Sequence, residues 1–163
     1  MKALFSLDPA ITFLNHGSFG ATPLALQAVQ RDWQARLERQ PVAFLARELP
    51  ALLADVRQAL GDWLHWPARD LVCVPNATTG VNIVARSLAL QPGDEVLLTN
   101  HEYGACERAW RFVCQQAGAH LVRQPIALPQ RSAENSLDQL WQGVTPRTRL
   151  IMISHISSFT AQR

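Results

Sequence analysis

The residues best suited to chemistry form a short polar turn, Pro75-Asn76-Ala77-Thr78-Thr79-Gly80. It lies between an apolar run, Leu71-Val72-Cys73-Val74, and apolar residues at helical spacing, Val81, Val84 and Leu88. A β-branched run, a tight turn and an amphipathic stretch predict strand, turn and helix, half of a βαβ unit. At the start of such a helix the first backbone N–H groups lack intrahelical acceptors, and the helix dipole adds positive potential. Threonine hydroxyls beside those amides make a seat for a phosphate or a carboxylate. The same residues also suit a plainly capped helix, with Thr78 or Thr79 bonding the first-turn amides. The turn has neither the Walker glycine–lysine pattern nor G-x-G-x-x-G, so its chemistry depends on what the fold brings near it.

The rest of the chain must supply that frame. Glu95–Thr99, His120–Arg123 and Leu150–Ile153 read as buried strands, and Ile11–Leu14 as a short extended run. The first helix is expected to open at Thr22-Pro23, with Thr22 as N-cap, and to carry Leu26, Val29, Trp33 and Leu37 inward until Gln40-Pro41 interrupts it. A second runs from Leu49-Pro50 with Leu53, Val56, Leu60 and Trp63 on one side, ending before Trp66-Pro67. A third spans about Ala105 to Ala117, with Trp110, Val113 and Cys114 inward and Gly118 as its C-cap. Pro129 to Ser136 reads as an exposed loop, followed by a short helix over Leu137, Leu140, Trp141 and Val144. Strands alternating with helices mean an α/β layer with a mostly parallel sheet. Ligands in such sheets bind beyond the strand C-terminal ends. Asn76–Gly80, Asn100–Gly104 and Ser154–Thr160 are polar loops at such ends, and their convergence strengthens the anion-site reading.

At 163 residues the chain is long enough for one domain with a real core. Apolar residues make up 48% of it, which is a soluble globular composition and not a disordered one. A net charge of +2, with arginines scattered and not interleaved with aromatics on one face, argues against nucleic acid. The three cysteines, Cys73, Cys106 and Cys114, are odd in number with no CxxC, which fits reduced thiols in a cytosolic protein. Cys73 reads as a small core residue. The stretch Met1 to Asp8 is too short in its apolar part for a signal peptide, and no segment approaches a membrane span. His101-Glu102 is no zinc motif, because position 105 is alanine where a second histidine would stand. His65, His120 and His155 have no ligand spacing with the cysteines, so no metal site is expected.

Four segments together resemble a known family. Phe13-Leu14-Asn15-His16-Gly17-Ser18-Phe19-Gly20, Asn76-Ala77-Thr78-Thr79-Gly80, His101-Glu102-Tyr103-Gly104-Ala105 and Ser154-His155-Ile156-Ser157-Ser158 occur in the order seen in class V aminotransferases. These are fold type I enzymes dependent on pyridoxal 5′-phosphate (PLP), and the resemblance is to the isopenicillin-N epimerase-like branch. It implies that Ala77, Thr78 and Thr79 hold the PLP phosphate and that Tyr103 lies against the pyridine face, where an aromatic ring positions a flat heterocycle by stacking. Ser158 would reach the cofactor's phenolic oxygen, although Phe159 departs from the family pattern. Asn15, His16 and Gly17 fall in the loop that closes over the substrate side. Without the family, Tyr103 reads as a core or interface tyrosine, Ser158 as a strand-end turn serine, and His16 as a loop-bonding histidine.

PLP chemistry also needs a lysine amine and a carboxylate for the pyridinium nitrogen. The only lysine is Lys2, outside every motif. The expectation is therefore an incomplete fold type I large domain: residues 1–66 an N-terminal loop and helical segment, residues 67–163 the first part of the PLP-binding domain. The chain reads as an N-terminal fragment, itself inactive, of a cytoplasmic, homodimeric enzyme acting on a small amino-acid substrate, with no nucleic-acid or membrane partner. The alternative is a non-catalytic partner, or a phosphate-ligand binding remnant, that dimerises with a full-length relative.

Overall fold

The computed structural model describes residues 2–17, 19–130 and 132–161. Ser18 of the glycine-flanked loop, Arg131 of the 129–136 segment, Met1, Gln162 and Arg163 lie outside the described residues. Two compact units are present, Met1–Cys73 and Val74–Arg163.

The first unit is helical. Helix α1 spans Leu24–Arg39. It begins one residue later than the Thr-Pro signal suggests, because Pro23 takes the N-cap position (φ −57°, ψ 143°) with no side-chain cap. Pro41 starts the short helix α2 (Pro41–Ala43), which runs through a π-helical turn, Phe44–Glu48, into α3 (Leu49–Leu64). His65 closes α3 in the left-handed region at φ 53°. Gly61 is required where it stands, since a Cβ there would meet the Trp66 carbonyl oxygen at 2.7 Å. Ile11–Leu14 forms no strand: Ile11 lies in a bend, its N–H donating to the Asp8 carbonyl at 3.1 Å, and Ile11 and Leu14 are exposed.

The second unit is a three-stranded parallel sheet in the order β2-β1-β3 with helices on both faces. Its strands are β1 (Glu95–Thr99), β2 (His120–Gln124) and β3 (Thr148–Met152), and its helices α4 (Ala77–Ser87), α5 (Gly104–Ala117) and α6 (Ala133–Trp141). Central β1 is buried along Glu95–Leu98, and its side chains alternate between two cores. Val96 and Leu98 pack with Ala85 of α4 and Trp110 and Cys114 of α5. Leu97 packs on the opposite side with Ile126 and Leu140 of α6. The α5 boundary lies where the sequence places it. Gly118 turns left-handed at φ 67°, and the Cys114 carbonyl accepts the Ala119 N–H at 2.9 Å.

Four local expectations fail. Leu71–Val74 forms no strand: the run has β propensity, but a strand exists only with a hydrogen-bonded neighbour, and the described β1 is flanked by β2 and β3. Cys73, expected in the core, is consequently exposed. Helix α4 directs Ala85 inward and leaves Val84 half exposed, a small residue allowing close approach. Finally, α6 starts inside the expected 129–136 loop, because Ser132 caps it by accepting the Asn135 N–H at 3.1 Å.

Candidate functional site

Helix α4 is capped by Asn76 and not by either threonine. The Asn76 Oδ1 accepts the Thr79 N–H at 2.8 Å and the Thr79 hydroxyl at 3.1 Å. Thr79 is thereby committed to the cap. The amides of Ala77 and Thr78, and the Thr78 hydroxyl, have no partner among the described residues. Two adjacent N–H groups and a hydroxyl are thus left as free donors at the start of an eleven-residue helix, where the dipole is positive.

The topology decides what lies near that helix start. Helix α4 delivers the chain to the start of β1 through the Gln91–Asp94 turn, where Gly93 sits at φ 86°. Its first turn is therefore at the opposite end of the helix, about 16 Å away, which is the C-terminal end of the sheet. Helix α5 leaves β1 at that same end and packs against α4. Tyr103 occupies the N-cap position of α5, its ring half exposed, with its carbonyl accepting the Cys106 and Glu107 amides. The structure thus brings the Ala77–Thr79 turn and Tyr103 to the starts of two neighbouring helices.

The loop carrying Tyr103 is strapped from both sides. Asn100 Oδ1 accepts the Ile126 N–H at 2.8 Å, and His101 Nε2 donates to the Ile126 carbonyl at 2.9 Å. On the other side Glu102, only 4% exposed, accepts from the Thr99 hydroxyl at 2.8 Å, the Ser154 N–H at 3.0 Å and the Ser154 hydroxyl at 2.6 Å. Glu102 is the residue that sequence reasoning passed over. Its only local signal is Thr99 three residues earlier; Ser154 is distant in sequence. Burial pushes the Cys106 thiol upward, and the Glu102 charge adds to the shift, so this thiol stays protonated near neutrality.

Ser158 is exposed in the turn after β3 and makes no bond among the described residues, whereas Ser157 reaches the His101 carbonyl at 3.4 Å. A cleft of about 240 Å³ opens beside these loops, with Glu102, Ser154 and Ser157 in its wall and Leu137 and Leu140 of α6 opposite. Asn15, His16 and Gly17 belong to the first unit. There His16 packs edge-on to Phe13 at 4.7 Å and lies 5.2 Å from the Phe5 ring, while Gly17 stands in open space.

With this geometry in place, the sequence profile of the family Aminotransferase class-V matches residues 22–162. The chain belongs to the class V aminotransferase family. This class V chain is 36% identical over 156 residues to the isopenicillin N epimerase of Streptomyces clavuligerus, covering 94% of itself and 39% of that enzyme. It superposes on a mutant of C-DES with glycine covalently linked to its PLP cofactor at a TM-score of 0.79, with 29% identity, covering 93% of this chain and 40% of that one. The cysteine desulfurase CsdA of Escherichia coli matches at a TM-score of 0.71 and 27% identity, over 98% of this chain and 41% of that one. The class V chain thus spans about two fifths of the length of these relatives. Among the described residues no helix is long and apolar enough to cross a membrane.

Proposed function

We propose that this chain forms the part of a PLP-dependent class V enzyme that grips the cofactor's phosphate and covers one face of its ring, in a homodimeric, cytoplasmic parent that acts on an amino-acid substrate. The observation that carries this reading is the pair of unpartnered amides of Ala77 and Thr78 at the same end of the sheet as Tyr103. When bound, PLP supplies an electron sink that loosens a bond at the α-carbon of an amino acid. Epimerisation, transamination and C–S cleavage all begin there.

The residues fit the group at its phosphate end. Ala77 and Thr78 donate backbone N–H bonds, the Thr78 hydroxyl adds a third donor, and the α4 dipole favours the negative charge. Thr79 serves the phosphate indirectly, by holding the Asn76 cap that shapes the turn. Tyr103 offers a flat ring, and Ser158 a hydroxyl that is still uncommitted. Asn15, His16 and Gly17 are assigned to contact with the substrate in the parent. The sole lysine, Lys2, belongs to the first unit and has no part in this reading, so the residues named here offer the cofactor no anchoring amine. The chain accordingly binds the cofactor without fixing it covalently.

Tyr103 is the only tyrosine, so a chain labelled with 13C-tyrosine reports on this ring alone by NMR. Titration with PLP is expected to move that signal saturably, with pyridoxal, which lacks the phosphate, binding at least tenfold more weakly. No response to PLP, or equal binding of pyridoxal, would sink the reading.

A further inference from the structure

Glu102 is too costly a residue to be filler. A carboxylate that is 4% exposed must have its acceptor capacity met or it destabilises the fold, and here every partner comes from the end of β1 or the loop after β3. Thr99 is the last residue of β1, where the loop that leads to Tyr103 begins; Ser154 belongs to the loop that carries Ser157 and Ser158. No cation takes part among the described residues. The carboxylate therefore acts as a clamp between the ends of β1 and β3, immediately before Tyr103 in the chain. The contact with the Ser154 hydroxyl, at 2.6 Å, is the shortest of its bonds.

We infer that Glu102 is a positioning residue for the cofactor site: it sets the placement of the Tyr103 ring relative to the Ser157–Ser158 turn without touching the ligand itself. The inference rests on the cofactor reading above for its consequence, but its first step, control of the Tyr103 ring, is independent of any ligand. Glu102→Gln is the diagnostic change because it preserves shape. One acceptor oxygen becomes an NH2 group, and the Ser154 N–H, unlike the two hydroxyls, cannot rotate to become an acceptor. Glu102→Ala removes the clamp altogether, and Ser154→Ala removes one of its bonds while leaving Glu102 in place.

The test uses the 163-residue chain labelled with 13C-tyrosine, with far-UV circular dichroism as the check of folding and PLP as the probe. The expected result is an unliganded Tyr103 signal displaced in Glu102→Gln and Glu102→Ala, with PLP affinity reduced roughly tenfold in Glu102→Ala, and less in the other two variants. A merely structural role predicts a lower melting temperature with the Tyr103 signal and the PLP affinity of the folded variants unchanged; that result overturns the inference. Should Glu102→Ala fail to fold, Glu102→Gln and Ser154→Ala decide the matter by the same two readouts. If the parent chain itself gives no PLP response, the cofactor reading fails. The unliganded Tyr103 signal then decides for Glu102 alone, displaced in its favour and unmoved against it.

Discussion

The two units carry the same amphipathic pattern and do different things with it. In Met1–Cys73, α1 buries no residue at all: Leu26, Val29 and Trp33 occupy helical spacing yet remain 57%, 50% and 41% exposed. In Val74–Arg163, Val96, Leu98, Trp110 and Cys114 are essentially removed from water, because β1 presents a surface for α4 and α5 to cover. The lesson is that periodicity specifies which face of an element is apolar and leaves open what covers that face. A central strand provides a partner on both sides, whereas a helix pair joined by a π turn does not.

Core truncation exposes this contrast most strongly. Trp110→Ala, at a 2%-exposed position, is expected to cost about 3–5 kcal/mol in urea unfolding. Trp63→Ala, at 76% exposure, should cost no more than about 0.5 kcal/mol. Equal losses at the two positions would erase the distinction between the units.

Ion pairs sharpen it next. In the second unit Glu95 is buried at the start of β1, bonded by the Thr145 hydroxyl at 2.6 Å and by Arg147 Nε and Nη2 at 2.9 and 2.6 Å. The Thr145 bond foremost, then the guanidinium, hold its carboxyl below the usual carboxylate range, against the opposing effect of burial. A lowered folded value means stability that is fully present above the unfolded carboxylate's value of about 4.3 and lost as pH falls through the folded one. Arg147→Ala should therefore lower the melting temperature most near neutrality, with the gap to the parent chain closing in acid. A pH-independent gap would show that packing, not charge, is at stake.

Asn76→Ala removes the α4 cap and should cost about 1 kcal/mol while weakening PLP binding, because the amides of Ala77 and Thr78 lose their fixed direction. Calorimetry of unfolding and the Tyr103 titration check the two effects separately. The smallest change is expected at Glu48→Gln in the first unit. Its pair with Arg36 measures 2.6 Å, but the side chains are 51% and 40% exposed, so the loss should stay within about 0.5 kcal/mol and vanish in high salt.

Much of the site could be read locally. The Tyr103 loop, the Asn76–Gly80 turn, the three paired strands and α5 down to its Gly118 cap all follow from short-range signals: short apolar runs, left-handed glycine, a polar stretch after an apolar run. Even there the capping atom was misassigned, because Asn76 competes for the Thr79 amide from outside the apolar pattern. The α6 start was missed for a related reason, since Ser132 signals a helix whose first residues are polar.

What the sequence alone determined is therefore whatever depends on neighbours a few residues away: helix ends, strand candidates, the order of family segments, the single lysine and the single tyrosine. Tertiary structure decided the rest. Leu71–Val74 has the composition of a strand and pairs with no strand among the described residues, so it is none and Cys73 is exposed. Glu102 looks like a surface loop residue until Ser154, 52 positions away, closes over it. Hydrogen-bond partners and burial are properties of chain segments meeting in space, and no local pattern encodes which distant segment will arrive.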